Sequence, residues 1–435
     1  MHLRKITIPG DKSITQRFLI LGALAHGKSY LRGALSSADC ISTATSLESL
    51  GVGMEAFWTN GEVAIQGVGL QGFCPTAHEL DFQNSGTGAR LMLGVLSAQK
   101  QSKGIIVTGD NSLKSRPMDR IVDPLTVAGG QLEYLESVGR LPISVTGKSL
   151  RPIRHHSPIA SAQVKSALIF ASLVSRRPVT LSEPIQSRDH TERMLSGVGV
   201  NVTAKKNDDC WEIKIDNPPC SLDPFEIDIP GDFSSAAFFI GLAALGGVQG
   251  GLAIENVGLN STRTGLLNVL CRMGARIRIE ETNGKHLGES RGFLEISASE
   301  LSGTQVHAEE VPAMIDEFPI LAVIASRATG VTSIRGAKEL RLKESDRIQA
   351  IVQNMRAIGV EIEEFEDGLE ILGTEKPLIG EVRSQGDHRV AMAFGILSSL
   401  PKNKIEIVGM DAADVSFPGF WKILSRLRSD SRSDD

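Results

Sequence analysis

Six apolar stretches of ten or eleven residues recur along the chain, each opening on a polar turn: RFLILGALAHG from Arg17, RLMLGVLSAQ from Arg90, VKSALIFASLV from Val164, SAAFFIGLAAL from Ser235, FPILAVIASRA from Phe318 and RVAMAFGILSS from Arg389. Each reads as a helix apolar nearly all round, and so as a buried one. Successive starts lie 73, 74, 71, 83 and 71 residues apart, a step regular enough to mark an internal repeat. Five of the six units also hold a second, half-polar helix that ends in glycine and runs into β-branched residues, as in SLESLGV, DHTERMLSGVGVNV, LNVLCRMGARIRI and AIVQNMRAIGVEIEE. Such helices face solvent, and the glycine supplies the left-handed residue that stops them. Alternating segments such as EVAIQGV, CWEIKID and GLEILGT predict strands between them. Each unit is thus about two helices and several strands, an α/β (α+β) chain.

Six units divide into two sets of three. PGDKS at 9–13 is echoed by PGDFS at 230–234, and the opening strand finds no obvious partner in the first three units. It is expected to pair with the second set. The predicted domains are 1–10 plus 231–435, and 11–230, joined by two crossings that suit a hinge closing on ligand. The polar end RSDSRSDD is expected to fray.

Composition narrows the function without naming it. The chain has 435 residues, 41% hydrophobic and 22% charged, with a net charge of −5. That is too long for one core and gives no sign of a nucleic-acid or membrane-surface binder. Five scattered cysteines with no C-x-x-C pair argue for a reducing compartment and against a disulfide framework or zinc site. Pro9-Gly10 precedes any long apolar run, which argues against a signal peptide, and no stretch reaches membrane-spanning length. A cytoplasmic monomer acting on small molecules is expected.

Any anion site must therefore be local, and PGDKSITQR points to one. Ser13 and Gln16 have the spacing of a capping box, yet Lys12 and Arg17 flank a helix start whose dipole favours anions. A bound anion over the helix end would reconcile them. NSGTGAR at 84–90, SAQVK at 161–165, MIDEFP at 314–319 and GDHRVAM at 386–392 open other buried helices, and converging helix N-termini make an anion site. Arg116, Lys343, Glu344, Arg347 and Arg389 would add charge. Arg90 reads equally as surface charge, and Glu344 with Arg347 as a surface i, i+3 pair. His155-His156 reads as loop, while Asp189 and Asp387 read as N-caps ahead of His190 and His388.

Nine segments in order, PGDKSITQR, NSGTGAR, SLKSRPM, SAQVKSAL, SRDHTERM, PGDFSSAAF, MIDEFPILAV, LRLKESDRI and GDHRVAMAF, resemble the signature segments of the 5-enolpyruvylshikimate-3-phosphate (EPSP) synthases. The resemblance implies a two-domain inside-out barrel, each domain three βαβαββ repeats. It implies transfer of the enolpyruvyl group of phosphoenolpyruvate to the 5-hydroxyl of shikimate 3-phosphate, with release of phosphate and no metal or organic cofactor. Carried over by residue, Lys12 contacts both substrates. Ser13, Arg17, Ser161, Ala162, Gln163, Arg188, Asp316 and Lys343 bind shikimate 3-phosphate, and Gly86, Arg116, Gln163, Arg347 and Arg389 bind phosphoenolpyruvate. Asp316, Glu344 and Lys12 are the catalytic set. Glyphosate, slightly longer than phosphoenolpyruvate, is expected to compete with it. Three positions depart from the family pattern: Val415 stands where many members carry lysine, Ala162 replaces a second serine, and Leu91 stands in place of proline. The alternatives are the sister transferase acting on UDP-N-acetylglucosamine and a non-catalytic anion-binding scaffold. The first usually carries Lys-Asn at the opening helix and a cysteine before the RP arginine, where this chain has Lys12-Ser13 and DNSLKSRP. The second would not need two carboxylates among the cations.

Overall fold

A computed structural model describes residues 3–100, 104–207, 209–282 and 287–429. After β1 (Arg4–Thr7) the first repeat runs α1 (Lys12–Leu24), β2 (His26–Arg32), α2 (Ala38–Ser49), β3 (Gly53–Phe57) and β4 (Glu62–Val68). The second runs β5 (Glu79–Asp81), α3 (Gly86–Ser97), β6 (Ile105–Thr108), the single turn α4 (Asn111–Lys114), α5 (Asp119–Val127), β7 (Gln131–Tyr134) and β8 (Ile143–Thr146). The third runs β9 (Ile153–His156), α6 (Ala162–Ser175), β10 (Val179–Glu183), α7 (His190–Gly197), β11 (Thr203–Lys206) and β12 (Trp211–Ile215), followed by β13 (Glu226–Asp228). The fourth holds α8 (Phe233–Ala244), β14 (Leu252–Gly258), α9 (Gly265–Arg272), β15 (Arg276–Glu281) and β16 (Arg291–Ser297). The fifth holds β17 (Gln305–Val306), α10 (Phe318–Ala325), β18 (Val331–Ile334), α11 (Arg347–Ala357), β19 (Glu361–Phe365) and β20 (Gly368–Leu372). The last holds β21 (Ile379–Arg383), α12 (His388–Ser399), β22 (Lys404–Val408) and α13 (Phe420–Ser429).

The repeat governs strand pairing. Five mixed four-stranded sheets follow one rule, with orders β13-β2-β4-β3, β5-β6-β8-β7, β9-β10-β12-β11, β1-β14-β16-β15 and β17-β18-β20-β19. In each, the leading strand lies parallel to the second and the rest pair antiparallel, as β5 with β6 and then β6 with β8. The last repeat keeps only the parallel pair β21 and β22. Two leading strands are borrowed from elsewhere in the chain. β13, at the end of the third repeat, lies beside β2, and β1 lies beside β14 with Ile6 opposite Ile254.

Two compact units result: a terminal unit of Met1–Pro9, Pro230–Gly284 and Ser290–Asp435, and a middle unit of Gly10–Ile229 with Lys285–Glu289. Each has its own core. In the middle unit α1 is buried from Ile14 to Leu24, and α3 packs on α6 so closely that a Cβ at Gly94 would stand 2.1 Å from the Ala167 carbonyl oxygen. Only glycine allows that approach. In the terminal unit α8, α10 and α12 pack on one another, with Phe239, Phe417 and Phe420 forming an aromatic cluster. Full burial of one such ring stabilises by about 1.5–3 kcal/mol. All five cysteines are free, and burial pushes the Cys40 thiol up to about 12. Among the described residues no helix is long and apolar enough to cross a membrane.

Three expectations need correction. The Ser13–Gln16 capping box does not form. Asp11 caps α1 instead, its Oδ1 accepting from Ile14 N at 2.9 Å, because a carboxylate both caps and answers the helix dipole. His155 and His156 belong to strand β9 rather than a loop, pairing with Leu181 and Ser182 of β10; their alternating burial suits an edge strand. A sixth second-type helix, α13, completes the last repeat. The sequence beyond it, DSRSDD, lacks the glycine and β-branched run that mark the others. Residues 430–435 of the polar tail lie outside the described residues.

Candidate active site

In the middle unit the predicted residues lie at the starts of α1, α3 and α6, with Arg116 just after α4 and Arg188 just before α7. Because Asp11 is the cap, Lys12 and Ser13 sit in the first turn of α1 and Arg17 one turn later. Lys12 Nζ pairs with Asp39 Oδ2 at 2.8 Å, on the first turn of α2. Arg17 is almost wholly buried. It donates from Nε to Thr191 Oγ1 at 2.8 Å, from Nη2 to Ser166 Oγ at 3.0 Å and from Nη1 to the Ser13 carbonyl at 3.1 Å. α7 and α6 thus aim the guanidinium.

Ser85 caps α3, accepting from Gly88 N at 3.2 Å, and also accepts from Gln16 Nε2 at 2.6 Å. A Cβ on Gly86 would stand 3.1 Å from both Arg116 Nη1 and Arg90 Nη1, so the glycine lets two guanidiniums close on the helix start. Arg116 donates to Asn84 Oδ1 at 2.7 Å. Arg90 donates to Gln163 Oε1 at 2.7 Å and to the Pro117 carbonyl at 3.0 Å, and Gln163 returns a bond to Thr87 Oγ1 at 2.9 Å. Arg90 therefore ties α3 to α6 rather than serving as surface charge. Ser161 caps α6, which places Ala162 and Gln163 in its first turn. Arg188 is half-buried immediately before α7. Asp189 occupies the N-cap position of α7, but its carboxylate accepts from Arg193 Nε at 2.8 Å and makes no capping bond. The i, i+4 guanidinium offers a stronger partner than an amide.

In the terminal unit a second cluster forms around Arg347, a fully buried side chain at the first position of α11. Its Nη1 lies 3.2 Å from Asp316 Oδ1, its Nη2 2.7 Å from Glu344 Oε2 and its Nε 2.8 Å from Asp387 Oδ2. The Glu344–Arg347 pair is thus no surface pair. Lys343 Nζ and Arg389 Nη2 each approach the Asp316 carboxylate to 3.6 Å. Burial alone would pull the Arg347 guanidinium down, but Asp387, Glu344 and Asp316 outweigh it and raise its pKa. Burial likewise pushes the Asp387 carboxyl up, and Arg347 more than reverses this, holding it below the usual range. Asp387 also caps α12, accepting from the Arg389 backbone N at 2.9 Å, so the carboxylate that pairs with the Arg347 side chain also holds the helix start that carries Arg389. Val415 is half-buried at the end of a 3-10 turn and brings no cation.

Asp316, Lys343, Glu344, Arg347 and Arg389 lie in the terminal unit and the other predicted site residues in the middle unit. Sequence reasoning missed Asp39, Ser166 and Thr191, which hold Lys12 and Arg17, and the ion-pairing role of Asp387. These are contacts across elements that no local spacing records. Among the described residues no three His, Cys, Asp or Glu side chains gather as a metal site.

The family profile described as EPSP synthase (3-phosphoshikimate 1-carboxyvinyltransferase) matches residues 4–424. The 3-phosphoshikimate 1-carboxyvinyltransferase of Petrotoga mobilis is 42% identical over 429 residues, 98% of this chain and 97% of that protein. The chain belongs to the EPSP synthase family. The corresponding enzyme of Desulforamulus reducens is 43% identical, covering 97% of this chain and 96% of its own. An EPSP synthase structure from Acinetobacter baumannii superposes with a TM-score of 0.83 at 38% identity, over 97% of this chain and 95% of that one. The enolpyruvyl transferase NikO from Streptomyces tendae, 14% identical, shares the fold with a TM-score of 0.75 over 98% of this chain and 94% of its own. The chain's activity is that of EPSP synthase, in the shikimate pathway.

Proposed function

We propose that the middle unit holds shikimate 3-phosphate and that the terminal unit moves the protons of the reaction. Ser13, Arg17, Ser161, Ala162, Gln163 and Arg188 bind shikimate 3-phosphate, with Lys343 and Asp316 at its ring. Lys12 touches both substrates, and Gly86, Arg116, Gln163, Arg347 and Arg389 receive phosphoenolpyruvate. The 5-hydroxyl oxygen adds to the central carbon of phosphoenolpyruvate, giving its proton to Asp316 while the methylene carbon takes one from Glu344. In the second half the bond from that carbon to the phosphate oxygen breaks, the departing phosphate takes the proton held by Asp316, and the new methyl group returns a proton to Glu344. Preorganised cations carry the phosphate charge through both steps. One observation carries this reading: Asp316 and Glu344 share the buried Arg347, with Lys343 and Arg389 also beside Asp316.

The buried helices of each unit, with small sheets around them, support an inside-out barrel. Five free thiols suit a reducing, cytoplasmic setting, and we take the chain to act as a monomer. A coupled phosphate-release assay tests the reading: release should require shikimate 3-phosphate and be absent with UDP-N-acetylglucosamine as acceptor. Release with the nucleotide sugar alone would overturn the assignment of Arg17 and Arg188.

A further inference from the structure

Lys165 plays no part in the scheme above, yet it is among the most deeply buried charges of the middle unit, with a side chain 4% exposed. It sits on α6 one turn beyond Ser161, its backbone N–H donating to the Ser161 carbonyl at 3.1 Å. Its ammonium contacts Glu183 Oε1 at 2.9 Å, Glu192 Oε1 at 2.7 Å and the Ser187 carbonyl at 3.3 Å. Glu183 ends β10, Glu192 lies in the first turn of α7, and Ser187 belongs to the loop between them. Glu183 also grips that loop directly, accepting from Ser187 N at 2.8 Å and Ser187 Oγ at 2.7 Å. Beside this clasp runs a second one between neighbouring residues: Ser166 Oγ and Thr191 Oγ1 lie 2.7 Å apart, and both accept from Arg17.

We propose that Lys165 is a positioning residue for shikimate 3-phosphate: its ammonium fastens the 184–189 loop and the first turn of α7 to α6, and so sets Arg188 and Arg17. One ammonium faces two buried carboxylates, so removing it leaves charges that must find water or another cation. The loop carrying Arg188 and the turn carrying Thr191 would then loosen together. Burial, with the charge of Asp189 adding to it, raises the Glu192 pKa despite the nearby lysine. A small cavity lined by His155, Ser157, Ser161, Ser182 and Glu183 lies beside Lys165.

The inference rests on the reading that Arg17 and Arg188 bind shikimate 3-phosphate, and the test separates the two. Michaelis constants for both substrates are measured on the full-length enzyme and on Lys165→Met, Lys165→Arg, Glu183→Gln and Arg188→Ala, each first checked for a cooperative melt. Lys165→Met should raise the constant for shikimate 3-phosphate about tenfold or more, with that for phosphoenolpyruvate within about twofold and kcat within about threefold. Lys165→Arg should restore most of the loss. If Lys165→Met does not fold, Glu183→Gln decides, with the same split at about threefold. An unchanged shikimate 3-phosphate constant in the folded variant, or equal movement of both constants, overturns the positioning role when Arg188→Ala still weakens shikimate 3-phosphate. An Arg188→Ala enzyme with normal constants overturns the underlying reading instead.

Discussion

At Gly86 a methyl group would stand 3.1 Å from two guanidiniums, Arg116 and Arg90. That is tighter than ordinary contact, so the arginines must give by a few tenths of an ångström, and a packed site has little slack for it. Glyphosate, the longer ligand, should feel the shift more than phosphoenolpyruvate. The unmodified enzyme should show inhibition competitive with phosphoenolpyruvate, and Gly86→Ala should lose most of it while retaining part of its activity. Steady-state inhibition of both forms checks this; an unmodified enzyme indifferent to glyphosate far above its phosphoenolpyruvate Michaelis constant would refute it. Asp316 and Glu344, proposed above to move the protons, give a second test. Asp316→Asn and Glu344→Gln keep shape but remove proton exchange, so turnover should fall by about 10²-fold or more with substrate binding largely kept. Near-normal turnover in both variants, measured by phosphate release with binding followed by calorimetry, would remove them from the chemistry.

Helix starts are where elements and chemistry meet in this chain. Asp11, Asp346 and Asp387 each cap a helix whose next residues are the site's cations, Lys12, Arg347 and Arg389. A capping carboxylate offsets the repulsion between a helix N-terminus and a neighbouring cation. Asp387 goes furthest, because it also pairs with buried Arg347. Its folded-state pKa is depressed, so its contribution to stability is full above the unfolded carboxyl pKa and is lost as pH falls through the folded value. Asp387→Ala should therefore lower unfolding free energy by about 3 kcal/mol or more near neutral pH. The gap between the two proteins should narrow progressively below about pH 4. Urea unfolding from pH 3 to 7 measures it; a gap that stays constant, or widens in acid, would contradict the pairing.

Across the whole molecule, chain order and spatial order part company at two places. β1 leads a sheet in the terminal unit whose partner strand lies 248 residues on in sequence, its Lys5 opposite Ala253, and β13 returns to complete the sheet begun by β2. The segment 10–229 therefore contains all the strands of its three sheets, whereas 230–435 lacks one. Expressed alone, 10–229 should melt cooperatively. The 230–435 fragment should be markedly less stable, since β14 becomes an unpaired edge and the core loses Ile6 and Ile8. Adding residues 1–9 as a peptide should raise its midpoint. Circular dichroism melts decide the matter: a 230–435 fragment as stable with the peptide as without it would show that β1 contributes little.

Element identity was written in the sequence because it depends on local patterning. Six apolar runs could only be buried helices, and alternating segments such as GLEILGT could only half-bury as strands. The repeat also limited the topology, since each unit had to pair its strands by one rule. The cations proposed for the site stood out too, because Lys12, Arg116, Lys343, Arg347 and Arg389 are out of place beside helix starts unless an anion or a carboxylate answers them. What answers them did not. Asp39 under Lys12, Thr191 and Ser166 under Arg17, and Asp387 under Arg347 come from elements 27, 174, 149 and 40 residues away. A hydrogen bond is decided by angstroms and a capping position by one residue, so Gln16, read as half of a capping box, is turned instead toward Ser85. Periodicity fixes which face of a helix is buried; only packing chooses which polar atom of that face meets which.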